Sequence, residues 1–257
     1  KGPLAWGRFR IRDSHYLPNT MSATDVIVES SNVGSGRIAM LIGGERQRAF
    51  LTSLGLAEAT PVELSEAPSG APLLPKNWSE ISTMTISFGH GISDSPLHLA
   101  AAYSSLLNGG TRVLPTLLKS DIIQRGTRVV RPEVSADARS MLRQVVTRGT
   151  ASMGDVEGYR VGGKTGTADK PKENGGGYYD DKVIATFATV FPADDPKYVL
   201  IVTLDEPSEN SGDTPRRTAG WTAVPVAAEM IRRVAPLLGL RPQIEVSDVA
   251  SVTLTSN

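Results

Sequence analysis

Lys164-Thr165-Gly166-Thr167 lies at the end of Tyr159 to Thr167, a run that reads as an edge strand of an antiparallel sheet. The strands after it support that reading. Lys182 to Phe191 is rich in Val, Ile, Thr and Phe, residues whose side chains fit a pleated, half-buried surface. Pro192-Ala193-Asp194-Asp195-Pro196 is turn chemistry, and Tyr198 to Leu204 is then the return strand of a hairpin. A long amphipathic helix is expected from about Thr218, and the tail from Arg241 shows no clear pattern.

Upstream of the strands the spacing predicts helices. Ser22 followed by Asp25 resembles a capping box that opens a helix running through Val28. A second helix is expected from Val33 to Ile42, stopped by Gly43-Gly44, and a third from Arg46 to Leu54, stopped by Gly55. Glu66 to Trp78 holds three prolines and a glycine and reads as a loop. Ser95-Pro96 pairs a capping hydroxyl with proline at the first helical position, so a helix should run on through Leu107 to Asn108-Gly109-Gly110. Ser135 is expected to cap a further helix through Arg148. Helices first, then antiparallel strands and a closing helix, make an α+β arrangement. Such a sheet calls for at least one more strand pair, expected from sequence upstream.

The 257 residues suffice for a sizeable core. With 27 basic against 27 acidic residues, and no basic run, nucleic acid is excluded as the main partner. No cysteine is present, so disulfides and thiolate metal sites are ruled out. His15, His90 and His98 are scattered without ligand spacing, so no metal site is expected. No window of about 20 uninterrupted apolar residues exists; the most apolar helical stretch, Thr222 to Leu240, contains Glu229, Arg232 and Arg233. Gly175-Gly176-Gly177 lacks the following Lys-Ser/Thr of a phosphate loop and reads as a connection between strands. Asp180-Asp181 and Asp194-Asp195 read as solvated turns rather than paired catalytic carboxylates.

Two short motifs stand out: Ser30-Ser31-Asn32, a Ser-x-Asn, and Lys164-Thr165-Gly166. Together they resemble two of the three motifs shared by penicillin-binding proteins and serine β-lactamases. The third, Ser-x-x-Lys, carries the nucleophile in that family, and no lysine here has a serine three positions before it. The likeness extends through Val28 to Gly34, Ser87-Phe88-Gly89-His90-Gly91, Pro96-Leu97-His98-Leu99-Ala100 and Tyr159 to Ala168. Over residues 1 to 240 the chain resembles the transpeptidase domain of class B penicillin-binding proteins, most closely the septal, division-specific type. The elongation type shares the motifs. Residues 241 to 257 are then a C-terminal tail.

The resemblance implies a penicillin-binding, β-lactamase-like fold, with helices flanking an antiparallel sheet and its N-terminal part missing. It implies a serine D,D-transpeptidase that cross-links peptidoglycan stem peptides through an acyl-serine, is inhibited by β-lactam antibiotics and uses no cofactor. It further implies division-machinery partners and a place on the periplasmic face of the bacterial inner membrane, held by an N-terminal anchor. The family's Ser-x-x-Lys precedes its Ser-x-Asn by several tens of residues. The chain is therefore expected to begin after its nucleophile and to be inactive as it stands.

Serine acyl transfer needs a nucleophile, a base, a proton relay to the leaving amine and donors for the oxyanion. Lys164 supplies a cation beside the site and attracts the substrate's terminal carboxylate. Ser30 can pass a proton, since a hydroxyl both donates and accepts. Asn32 offers an amide to the substrate's peptide carbonyl or to the catalytic lysine that is absent here. Gly166 leaves room for an extended substrate to lie along the strand. The Thr167 N–H is half of an oxyanion hole, and the Thr165 hydroxyl is placed for the carboxylate. Other readings are a non-catalytic penicillin-binding-like module, or a serine β-lactamase or D,D-carboxypeptidase. A Ser-x-x-Lys upstream would discriminate against the module, and a deacylating carboxylate beside the motifs would favour the β-lactamase.

Overall fold

The computed structural model describes residues 4–7, 9–59, 62–120 and 126–243. Among these the chain starts with a two-stranded ribbon, β1 (Leu4–Trp6) and β2 (Phe9–Ile11), which the helical expectation for the first half did not include. Helices α1 (Ala23–Val28), α2 (Asn32–Ile42), α3 (Gly44–Ser53), α4 (Glu80–Ile86), α5 (Pro96–Leu107) and α6 (Pro132–Arg148) follow. The sheet is β3 (Gly162–Pro171), β4 (Tyr178–Phe191) and β5 (Tyr198–Asp205), antiparallel in the order β3-β4-β5, and α7 (Ala223–Leu237) closes the described chain. The architecture is the expected α+β one, with no further strand beside β3 or β5 among the described residues. The rest of the expected tail, from residue 244, lies outside those residues.

Local chemistry accounts for most helix ends. Ser22 accepts from the Asp25 N–H and opens α1; Ser95 accepts from the His98 N–H, with Pro96 at the first turn of α5. Gly55 follows α3 with φ of +87°, the left-handed stop that a side chain would resist. Two expectations are corrected. Ser135 does not cap α6, which starts at Pro132 with Arg131 at the cap position. Ser135 is buried inside the helix instead, where its hydroxyl accepts from the Gly109 N–H and from Arg139. Asp180 and Asp181 are not in a turn: β4 begins at Tyr178, four residues before the expected start, and carries both aspartates exposed.

The strands are buried where both faces are covered. Ala185, Phe187 and Phe191 of β4 pack with α7 and with Val145 and Val146 of α6. Val190 turns to the opposite face, against Leu107 of α5. This two-sided cover explains why Phe187 to Phe191 is buried without interruption rather than at every second residue. On β3, a Cβ at Gly163 would sit 2.6 Å from the Phe187 ring, so the glycine is what lets the two strands share that core. Its neighbour Lys164 opens the exposed part of β3, whose other edge is unpaired.

Candidate active site

The site begins with a helix end. At the C-terminus of α1 the Ser31 N–H bonds to the Val26 carbonyl at 2.9 Å and the Ser30 N–H to the Ile27 carbonyl at 3.3 Å. That pair of bonds is a Schellman motif, whose left-handed position is usually glycine. Here Ser30 holds it, with φ of +57°. The turn swings the chain directly into α2. Ser31 caps α2 by accepting from the Gly34 N–H at 2.9 Å, and the Asp13 carboxylate accepts from the Val33 N–H at 3.1 Å. Ser31, buried, also donates to Asp13. The middle residue of Ser-x-Asn is therefore structural, and it fixes the residues on either side.

Across from this turn stands β3. Lys164 Nζ donates to Ser30 Oγ at 2.7 Å and to the Thr165 carbonyl at 3.0 Å. Burial pulls the Lys164 ammonium down from 10.5 to about 8. Thr165 Oγ1 lies 3.5 Å from Lys164 Nζ and 2.7 Å from the hydroxyl of Thr150. Thr167 Oγ1 accepts from the Ala219 N–H at 2.9 Å, which ties β3 to the segment before α7. Asn32 donates through Nδ2 to the Arg12 carbonyl at 3.2 Å. Ser30, Asn32, Thr165 and Thr167 line one cavity of about 620 Å³, with Lys164 reaching Ser30 and Thr165 at its wall. Gly166 sits exposed between the two threonines on the same strand.

The structure thus gathers the sequence-predicted residues, though they come from segments 134 positions apart. It also adds walls that carried no motif: Thr150 and Ser152 after α6, Thr218 and Trp221 before α7, and His15 and Glu29 beside Ser30. The other histidines keep to structural contacts. His98 is buried, its Nδ1 2.7 Å from Ser95 Oγ and its Nε2 2.9 Å from the Glu58 carbonyl, and His90 meets the Tyr178 ring. No cluster of His, Cys, Asp or Glu among the described residues could hold a metal ion. The three glycines 175 to 177 join β3 to β4 with positive φ, as a connection between strands requires.

A hydroxyl, a partly desolvated lysine, an amide and an exposed strand edge in one cavity match the parts of an acyl-transfer site. Comparison with known proteins identifies the family. The family model for the penicillin-binding protein transpeptidase domain matches residues 1–230. The chain belongs to this family. It is a class B transpeptidase domain, similar to proteins of the FtsI and penicillin-binding protein 3 type. It is 36% identical, over 97% of its length, to a protein named probable peptidoglycan D,D-transpeptidase FtsI from Caulobacter vibrioides. It is also 36% identical, over 90% of its length, to penicillin-binding protein PbpB from Mycolicibacterium smegmatis. It spans 44% and 39% of those two relatives. Among solved structures, the transpeptidase domain of Burkholderia pseudomallei penicillin-binding protein 3 superposes with a TM-score of 0.82 at 33% identity, covering 95% of this chain and 72% of that one. Penicillin-binding protein 3 from Mycobacterium tuberculosis, complexed with aztreonam, gives 0.79 at 30%, covering 95% of this chain and 58% of that one. No helix among the described residues is long and apolar enough to cross a membrane.

Proposed function

We propose that this chain supplies the Ser-x-Asn and Lys-Thr-Gly walls of a D,D-transpeptidase that cross-links peptidoglycan stem peptides and is a target of β-lactams. The observation that carries the reading is the 2.7 Å bond from Lys164 Nζ to Ser30 Oγ. It couples the two family motifs into one proton path, so that Ser30 can hand a proton toward the leaving amine while Lys164 holds its oxygen. In this reading Lys164, with Thr165, draws in the donor peptide's terminal carboxylate. The donor lies along the free edge of β3 past Gly166, and Asn32 orients its peptide carbonyl. The Thr167 N–H helps stabilise the oxyanion once a serine nucleophile attacks. The acyl-serine itself forms on a Ser-x-x-Lys that this sequence does not contain. Residues 1–240 act as part of the transpeptidase domain and 241–257 as a tail. The likeness to FtsI-type proteins supports a role in division, with division-machinery partners on the periplasmic face of the inner membrane.

Labelling with a fluorescent penicillin tests this. The 257-residue chain should take no covalent label, because it contains no Ser-x-x-Lys to supply the nucleophile. A longer form that includes a Ser-x-x-Lys should be labelled. In that form Lys164→Ala should slow acylation by a factor of roughly 100, or about 3 kcal/mol, without unfolding the domain. Acylation at the parent rate by folded Lys164→Ala would overturn the assignment. A label on the longer form lost within seconds would point to a β-lactamase, and none at all to a binding module.

A further inference from the structure

The cavity that holds Ser30 has a second charged feature, which the acyl-donor chemistry does not use. Glu29 follows α1 as its C-cap residue, next in sequence to Ser30, and lines the cavity together with His15. It is the one carboxylate among the lining residues. Its Oε2 stands 3.7 Å from His15 Nε2, too long for a hydrogen bond, so its oxygens keep capacity for another donor. The carboxylate side chain is about a third exposed, open to the cavity's solvent rather than spent on the fold. The α1–α2 wall therefore carries a negative group, while the β3 wall carries the Lys164 ammonium.

That bipolar arrangement bears on a problem which any transfer to an amine must solve. An amine acceptor is protonated near neutral pH, as a lysine side chain is. A cavity whose only charge was the Lys164 cation would repel it. A carboxylate in the same cavity reverses the local field and raises the acceptor's local concentration. We propose that Glu29 is the anchor for the ammonium group of the acyl acceptor, a primary-amine side chain of a second peptide. The proposal rests on the acyl-transfer reading above and adds the acceptor's subsite to it. Lys164 and Thr165 take the donor's carboxylate, and Glu29 takes the acceptor's cation on the neighbouring wall. Glu29 thereby acts as a positioning residue: it gathers the acceptor as its ammonium, and the nitrogen attacks the acyl carbon only after it has left the carboxylate and given a proton to solvent.

Three small probes separate the two ends of the cavity. Nα-acetyl-lysine N-methylamide carries an ammonium and no carboxylate. Its Nε-acetylated analogue carries neither. Acetyl-D-alanyl-D-alanine carries only the carboxylate. Each is titrated into the isotope-labelled chain at about pH 7.5, above the ordinary imidazole range, with backbone amide shifts as the readout. The ammonium probe should shift the amides of residues 29 to 32 saturably, and the Nε-acetylated analogue should not. Glu29→Gln, which keeps the shape of the side chain, should weaken the ammonium probe about fivefold, and added salt should do the same. It should leave the carboxylate probe unweakened, whereas Lys164→Ala should weaken that one. Equal binding of the ammonium probe to the parent and to Glu29→Gln, no saturable binding of it, or equal binding of the Nε-acetylated analogue would each overturn the anchor. If Lys164→Ala still weakens the carboxylate probe, the acyl-transfer reading survives that failure. Insensitivity of the carboxylate probe to Lys164→Ala would instead strike at the acyl-transfer reading itself.

Discussion

Ser30 pays in backbone strain for the position of its hydroxyl. A non-glycine residue in the left-handed region is disfavoured by roughly 1 kcal/mol, and glycine is the usual occupant of this turn. Ser30→Gly should therefore raise the chain's unfolding free energy by about 1 kcal/mol, read from its denaturant midpoint, while it removes the contact to Lys164. A loss of stability on this substitution would show that the hydroxyl bond outweighs the strain. Lys164 itself makes a second prediction. Direct titration of isotope-labelled lysines should find the Lys164 side chain with a midpoint near 8, well below the ordinary lysine value of 10.5. Its folded value is depressed from 10.5, so between about pH 8 and 10.5 the unfolded state binds more protons. Stability should accordingly rise with pH across that window, relative to Lys164→Met, and the full cost of burying the ammonium should be felt below it. A parallel pH profile for the two proteins would refute the burial.

At the scale of elements, the start of α5 carries a hidden acid. Asp94 precedes the Ser95 cap, and its Oδ1 is buried without a hydrogen-bond partner. Burial raises its carboxyl from 3.8 to about 6, partly offset by the nearby His98. The folded state then holds the proton more tightly than the unfolded one. The contribution is fully present below pH 3.8 and is lost as pH rises through about 6. Asp94→Asn should remove that dependence, so the variant should gain stability relative to the parent at pH 7.5 but not at pH 4; equal gains at both would disprove it. Elements also divide what could be read from the chain. The α5 start and the β4–β5 hairpin were legible because a cap and a proline-rich turn act within a few residues. Helix α4 was not anticipated, although Ser79 caps it, because it follows directly on a proline-rich loop. Strand β3 runs past its expected end to Pro171, where Lys170 pairs with Asp205 and Glu206, contacts no local pattern announces. The site divides the same way. Ser30, Asn32 and Lys164 were readable as motifs. Thr150 and Trp221 were not, because only packing brings them to the cavity, and Glu29, though next to Ser30 in sequence, belongs to no motif.

For the whole molecule, the spacing of the site depends on α6, which stands between α1 and β3. Arg148 at its end donates to Asp25 of α1 at 2.9 Å, and Arg143 donates to the Val161 carbonyl just before β3 at 2.9 Å. Gly149 closes α6 at a close approach to α1: an added Cβ would lie 2.6 Å from the Val28 carbonyl oxygen. Backbone on both sides leaves little room to yield, so Gly149→Ala should force α1 away from α6 and carry Ser30 away from Lys164. With its surroundings opened, Lys164 should titrate closer to 10.5 although no group touching it has changed. A midpoint still near 8 in the folded variant would mean that α1 and β3 are held together by other contacts.

The strained turn at Ser30 also bears on which substitutions the position can explore. A proton relay asks only for a hydroxyl, and threonine would serve that purpose. The left-handed backbone opposes it, because a β-branched side chain is a true outlier there. Glycine and asparagine suit the turn but bring no hydroxyl. One requirement comes from chemistry and the other from chain geometry, and serine is where the two overlap. Ser30→Thr should therefore keep the hydroxyl yet lower the unfolding free energy by a further ~1–2 kcal/mol, read from the denaturant midpoint, so the exchange between the two hydroxyl residues carries a stability cost at this site.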